Sequence, residues 1–582
     1  MLRFRLPRPL IAAFVPLALF PILAAYSCEQ PEAHTPRGQW PVWGGNLHNT
    51  HEADGESAIT PANVATLAPR WVFETIGNVS AIPTVADGRV YAVDWGVLAA
   101  GGGKLWAIDQ ATGHEIWSKP ILSYTGNLLT SISRTSPAIA GNLLLIGDLR
   151  SQPTAIVDVP GGAGASLYAI DRNDGHLVWR TKLDPHPLAV VTQSPVVYRG
   201  RVYVGVSSQE EAAARLAYPC CSFRGSMVAV DLATGAIVWQ RYMTPPNGGQ
   251  PGGFAGVAVW GSSPPIDAAR NLVYVATGNN YSVPEVLQSC LVAHQGDPQG
   301  QQHECYERYD VPDNYADSIL ALDLDSGEVR WTQKLQNYGA WTFACDKRIA
   351  PWLITNPENC RDLDAQDFDF GQAPMLYTAK VGGRARDLVA AGQKNGVFWA
   401  LDPDDGKIVW TTSVGPGGVL GGMEFGAATD GQRIYTQVTN FDHTELALTA
   451  GQHAGQTAHG GMWAALDAGT GQLLWQTPDP SSFRPLTGDI VHPVWGAGLG
   501  DGFFGVAMGP MTVAAGVVYA GSFDREGHMY ALDAATGQIL WSFASGGSIM
   551  SAPAIAGGML FWGSGYQQGF NNNKIYAFGL PR

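Results

Sequence analysis

One eleven-residue pattern recurs seven times along this chain of 582 residues, and it constrains the fold more than any other feature. Ala or Leu and a hydrophobic residue precede an Asp; Gly follows that Asp by four positions and Trp by eight. The copies are WAIDQATGHEIW, YAIDRNDGHLVW, VAVDLATGAIVW, LALDLDSGEVRW, WALDPDDGKIVW, AALDAGTGQLLW and YALDAATGQILW, with motif aspartates at Asp109, Asp171, Asp231, Asp323, Asp402, Asp467 and Asp533. Apolar and polar residues alternate before each Asp, turn chemistry fills the middle, and β-prone residues lead to the Trp, so each copy predicts a β-hairpin. Gly supplies a positive φ for the turn, Asp accepts bonds from turn amides, and Trp presents a broad face to a neighbouring unit. These residues therefore read as scaffold.

A second pattern precedes each hairpin: a strand, a small turn, then Val/Leu-Tyr or Leu-Leu, as in IPTVADGRVYAV, SPVVYRGRVYVG and APAIAGGMLFWG. It occurs eight times. Two strands from this pattern and two from the hairpin make a four-stranded blade, and repeats of this size imply radial stacking. The missing eighth hairpin is split between the ends of the sequence: KIYAFGL (Lys574 to Leu580) resembles its first half and PRWVFET (Pro69 to Thr75) its Trp half. Pairing them closes the ring and removes an exposed sheet edge. The expectation is an all-β, eight-bladed β-propeller closed by strands from both ends, spanning residues 40–582, after an export segment at 1–28 and a linker at 29–39.

The export reading rests on Arg3, Arg5 and Arg8 ahead of an apolar run from Leu10 to Ala25, followed by AAYSC. Cys28 stands where a bacterial lipoprotein carries its lipid, although Ala25 and Tyr26 fit that signal poorly; cleavage without lipid and an uncleaved anchor stay open. Export places the chain in the periplasm, where disulfides persist. The other six cysteines fall into neighbours, Cys220 with Cys221, Cys290 with Cys305 and Cys345 with Cys360, among fifteen connectivities. A net charge of -15, from 35 basic and 50 acidic residues, argues against nucleic acid as a ligand and leaves room for a basic protein partner.

Successive motif aspartates are 62, 60, 92, 79, 65 and 66 residues apart, so blades 4 and 5 carry the largest insertions. Long insertions at one end of a propeller are where chemistry is expected. The hairpins resemble the tryptophan-docking motif of the quinoprotein alcohol dehydrogenases, which hold pyrroloquinoline quinone (PQQ) and calcium at the propeller axis. WGGNLHNT, PCCSFRGS, VATGNNYSVP, DFDFGQAPM and GVAMGPM are more like polyvinyl alcohol dehydrogenases within that family.

The resemblance implies a site residue by residue. VGVSSQEEAA matches the segment that supplies a carboxylate metal ligand, Glu211, with Glu210 as the near alternative; VYVATGNN supplies Asn279. Glu and Asn oxygens suit a cation that takes six to eight oxygen ligands. Asp369 in QDFDFGQAPM corresponds to the Asp that takes the substrate hydroxyl proton beside the metal, with Asp367 close by. Lys394 in AGQKNG corresponds to the cation touching the quinone. Trp260 in VWGSSP and the pair Cys220 and Cys221 correspond to the two walls of the quinone, although the Cys pair follows the Glu here, unlike methanol dehydrogenase. Arg134, Thr192 and Asn440 match weaker cofactor contacts. Where methanol dehydrogenase has a second channel Trp, this chain has FGVAMGPM around Ala507.

The implied function is PQQ- and calcium-dependent oxidation of an alcohol, secondary and polyvinyl alcohol-like. Because no Cys-x-x-Cys-His occurs, the implied electron acceptor is a separate cytochrome c. Two other classes fit the repeats: a non-catalytic outer-membrane assembly scaffold, and a sugar dehydrogenase using the same cofactor.

Overall fold

The computed structural model describes residues 34–96, 101–128, 131–149, 164–216, 218–297, 300–335, 339–346, 354, 356–362, 364–480, 505–566 and 569–581. The export segment and Cys28 lie outside them. Among the described residues, no helix is long and apolar enough to cross a membrane.

Eight antiparallel sheets follow one another along the chain, each of four strands, with a short fifth strand in blade 3. Blade 1 shows the pattern: Thr84–Ala86, Arg89–Val93, Lys104–Asp109 and Glu115–Pro120, from innermost to outermost. The first three strands are almost wholly buried and the fourth is largely exposed, because three strands lie between neighbouring blades and the last forms the outer surface. Blade 8 comprises Ala554–Ala556, Met559–Ser564, Lys574–Gly579 and, as its outermost strand, Ala68–Glu74. Trp71 stands opposite Ala577 and Glu74 opposite Lys574, so the expected split hairpin closes the ring.

The repeat explains how blades join. In seven of the eight hairpins the Trp indole donates to the carbonyl that follows the motif Asp of the next blade: Trp117 to Arg172, Trp179 to Leu232, Trp239 to Leu324, Trp331 to Pro403, Trp410 to Ala468, Trp475 to Ala534, and Trp71 across the closure to Gln110, at 2.9–3.3 Å. The motif Gly serves two needs at once. Gly406 has φ +74°, and a Cβ on it would lie 2.5 Å from Trp331, so the ring packs where only hydrogen fits. Trp541 is different because the two chain ends interrupt the turn it would meet. It packs edge-on to Phe578 at 5.3 Å within an aromatic group that includes Phe543, Trp562 and Tyr576.

The expected insertions take shape in blades 4 and 5. Between the second and third strands of blade 4 (Leu272–Ala276 and Ser318–Asp323) lie helices Glu285–Ala293 and Gln301–Tyr309, bridged by Cys290–Cys305. The segment before the first strand of blade 5 (Met375–Val381) carries Cys345–Cys360. Cys220 and Cys221 are bonded to each other, so all three neighbouring pairs form.

Candidate active site at one end of the ring

Adjacent strands are antiparallel, so the residue before a blade's first strand and the residue after its second lie at the same end. Every candidate site residue occupies such a position. Glu211 follows Arg201–Ser208 in blade 3, Asn279 follows Leu272–Ala276 in blade 4, and Lys394 follows Arg384–Gly392 in blade 5. Asp369 and Trp260 precede the first strands of blades 5 and 4.

Lys394 is the hub. Its Nζ lies 3.0 and 3.1 Å from the two carboxylate oxygens of Asp367 and 2.8 Å from Oδ1 of Asp369, and it sits 4.9 Å from the ring centroid of Trp260. The Trp260 indole N–H in turn donates to Oδ2 of Asp369 at 2.8 Å. The backbone is laced as tightly: Lys394 N donates to Asp369 O at 3.1 Å. Lys394, Asp367 and Asp369 are all buried. Burial works against the ammonium, but Asp367, then Asp369, Glu424 and Glu211, hold its pKa well above the usual lysine value.

Glu211 and Glu210 part company. Glu210 is fully buried, and its Oε1 accepts from Ser222 N at 2.9 Å and the Tyr218 hydroxyl at 3.0 Å while Oε2 accepts from Phe223 N at 2.9 Å. It fastens the loop that holds Cys220–Cys221. Glu211 has no side-chain hydrogen bond among the described residues and faces the lysine cluster. Burial pushes its pKa up to about 8, against Lys394 and with Asp369.

Asn279 is oriented from both sides. Its Nδ2 donates to Asn280 O at 2.8 Å and Trp341 O at 2.9 Å, which leaves Oδ1 buried without a partner. Its neighbour Gly278 abuts Asp369: a Cβ there would lie 2.9 Å from Oδ2. An orphaned amide oxygen, a carboxylate with no donor and a further buried carboxylate form a hard-oxygen set of the kind that calcium takes. Glu211, Asp367, Asp369 and Glu424 all act on the one ammonium of Lys394, so full ionisation leaves a surplus of negative charge that a divalent cation would offset. Among the described residues, the groups of three His, Cys, Asp or Glu that lie within mutual ligand reach are elsewhere: Asp171 with Asp174 and His176 is largely exposed, and Cys290 and Cys305 beside His294 are joined in a disulfide.

The flat walls also gather. Cys220, Cys221 and Trp260 pack on the same apolar cluster between blades 2 and 3. Arg134 and Thr192 line one cavity with Trp43, Ser262, Phe425 and Tyr566; the Thr192 hydroxyl is buried without a partner, and the Arg134 guanidinium lies 5.3 Å from the Phe425 ring centroid. Phe425 meets Trp260 edge-on at 5.8 Å, which joins this cavity to the lysine cluster. Asn440 stands apart in character. Its amide donates to Thr444 O and Gly460 O and accepts from Thr444 N, tying its own loop. Ala507 is buried in the core between blades 6 and 7.

Two carboxylates escaped the reading of the sequence. Asp317, just before the third strand of blade 4, is buried with Oδ1 unpartnered, and burial, reinforced by Asp369, holds its carboxyl well above the usual range. Glu424 lies beside Gly371, against which Trp260 also packs, and its charge reaches Lys394. Neither sits in a local pattern that marks it.

A family model described as the outer membrane protein assembly factor BamB matches residues 37–159, 154–307, 315–482 and 458–578. The chain is 30% identical over 584 residues to a polyvinylalcohol dehydrogenase of Sphingopyxis sp. (strain 113P3), covering 93% of this chain and 76% of that protein. It is 28% identical over 578 residues to a polyvinylalcohol dehydrogenase of Pseudomonas sp, covering 93% and 77%. The fold matches the quinohemoprotein alcohol dehydrogenase of Comamonas testosteroni with a TM-score of 0.62 at 19% identity, over 94% of this chain and 82% of that one. It also matches a europium-containing methanol dehydrogenase with a TM-score of 0.63 at 17% identity, over 93% and 98%.

Proposed function

Since the chain belongs to the PQQ-dependent alcohol-dehydrogenase-like quinoproteins and is an oxidoreductase, we propose that it oxidises a secondary alcohol of the polyvinyl alcohol kind, using PQQ and calcium. The substrate class is taken from the relatives named for that polymer. The observation that carries the reading is the pair of buried residues Asp369 and Lys394 with the half-buried Trp260, beside the unpartnered Oδ1 of Asn279. A scaffold that binds partners along blade edges has no use for a lysine buried among carboxylates at the loop end of the ring.

When bound, PQQ supplies the two-electron acceptor and calcium the Lewis acid that activates it. Glu211 and Asn279 are the residues that would hold the cation through side-chain oxygens, with Asp369 as the further carboxylate. Asp369 takes the hydroxyl proton of the alcohol. Trp260 holds it through Oδ2, while Asp367 engages both its own oxygens with Lys394 and serves as a positioning residue. Lys394, kept protonated by the surrounding carboxylates, would supply the positive charge that stabilises a reduced quinone. Trp260 and the Cys220–Cys221 bridge would supply the apolar walls for a planar ring, and Arg134 and Thr192 would recognise its carboxylates. Electrons leave to a separate cytochrome c, drawn to the acidic surface. The chain works in the periplasm, with residues 1–28 as export segment, 29–39 as linker and 40–582 as the propeller.

Asp369→Asn tests the assignment. With PQQ and calcium supplied, the variant should bind the quinone and fail to turn over the alcohol; wild-type turnover would remove Asp369 as the base and move that role to Asp367.

A further inference from the structure

The side chain of Asn279 and the main chain of Glu211 are both held by one short segment of another blade's insertion. Trp341 O accepts from Asn279 Nδ2 at 2.9 Å, and two residues on, Phe343 N donates to Glu211 O at 3.2 Å. Trp341 N also donates to Asn280 O at 2.9 Å, the carbonyl that takes the other Asn279 N–H contact. The stretch from Ala340 to Phe343 thus touches the amide of Asn279 and the backbone of Glu211.

The strap is anchored at each end. Ala340 forms a parallel bridge with Asn280, whose side chain exchanges two amide bonds with Asn314, at 2.9 and 3.0 Å. Asn314 continues to Asp310 at 2.8 Å, and Asp310 pairs with Lys334. On the other side, Cys345 turns back to Thr342 O at 2.8 Å and is bonded to Cys360. Next to Cys360, Asn359 donates to Ala214 O at 2.7 Å and Tyr218 O at 3.1 Å, and Asn356 N donates to Arg215 O at 3.2 Å. Those acceptors belong to the segment that leaves Glu211. The strap is therefore closed at both ends onto the two elements it joins.

We propose that Ala340–Phe343, locked by Cys345–Cys360 and Asn359, is a positioning strap that sets the metal affinity of the Glu211 and Asn279 pair. This rests on the metal reading above. Groups that orient ligands in this way typically change metal affinity ten- to a hundredfold when removed.

The test uses the full exported chain without cofactor. Calcium is titrated by calorimetry and terbium by tryptophan-sensitised luminescence, and melting temperature is recorded with and without calcium. The C345A/C360A variant should bind both ions ten- to a hundredfold more weakly, melt lower than wild type without metal because the loop cross-link is gone, and show metal-dependent stabilisation only at correspondingly higher calcium. Asn359→Ala removes two hydrogen bonds and leaves every disulfide in place, and should shift affinity in the same direction by a smaller factor. Wild-type affinity in both variants overturns the strap while leaving the metal reading intact. A wild-type chain that binds neither ion overturns the metal reading and the strap with it.

Discussion

Removing the Lys394 charge should expose how the site is balanced. Lys394→Met preserves length and apolar stem but leaves Asp367, Asp369 and Glu211 without a cation, with Asp367 losing contacts at 3.0 and 3.1 Å and Asp369 one at 2.8 Å. Breaking a buried ion pair from one side costs about 3–5 kcal/mol, a large part of the ~5–15 kcal/mol that holds a domain together. The deficit should depend on pH with a definite sign. Burial already holds Glu211 at about 8 against an ordinary 4.5, and Lys394 is what opposes that shift. Without it the folded Glu211 and Asp367 carboxyls bind protons still more readily than the unfolded ones. The folded state is then favoured below about pH 4.5 and loses ground as pH rises through 8 and beyond, by up to about 1.4 kcal/mol per pH unit for each proton. Urea unfolding of the metal-free protein at pH 5 and pH 8 reads this directly. The variant should be strongly destabilised at pH 8, less so at pH 5, and partly restored by calcium. A variant within about 1 kcal/mol of wild type at pH 8, or a deficit that does not shrink on acidification, refutes the charge balance.

The docking motif predicts a contrast between two glycines. Gly406→Ala drives a Cβ to 2.5 Å from Trp331, whereas Gly88→Ala, at the same φ of +74°, meets nothing within 4 Å. Thermal melts should show about 1–2 kcal/mol lost at Gly88 from left-handed strain alone, and about 1–3 kcal/mol more at Gly406 from overpacking; equal losses would contradict the packing role. His51 is fully buried with neither ring nitrogen bonded, and burial alone lowers its pKa from 6.5 to about 3. Its contribution is present above pH 6.5 and is lost as pH falls towards 3, at up to about 1.4 kcal/mol per unit. His51→Asn, which suits the positive φ there, should flatten the acid side of the stability profile, and an unchanged slope would show that another group governs it.

The propeller was legible because its determinants are local and repeated. Asp, Gly and Trp at fixed spacing encode the hairpin, and the split of the eighth copy between Trp71 and Ala577 followed from counting. What the repeat did not encode was the second use of each Gly, which depends on a ring from the preceding blade. The site was legible only through resemblance, since its residues come from separate loops and share no local pattern. Adjacent Glu210 and Glu211 are equivalent in sequence; three donors from the following loop distinguish them in space. Asp367 and Asp369 likewise differ by whether the partner is Lys394 alone or also Trp260. Asp317 and Glu424 were invisible because burial by distant blades, and nothing beside them in the chain, makes them unusual. Asn440 matched by position, yet its amide bonds lie within its own loop.

On the proposed function, one end of the ring would bind a quinone and a divalent cation together and use them on an alcohol. The most direct measurement is titration of the purified protein with PQQ, with and without calcium, followed by absorbance and by dye-linked oxidation of a secondary alcohol. Stoichiometric PQQ binding that requires calcium, and turnover that appears with it, is the predicted result. Absence of PQQ binding and of turnover at saturating calcium would contradict it.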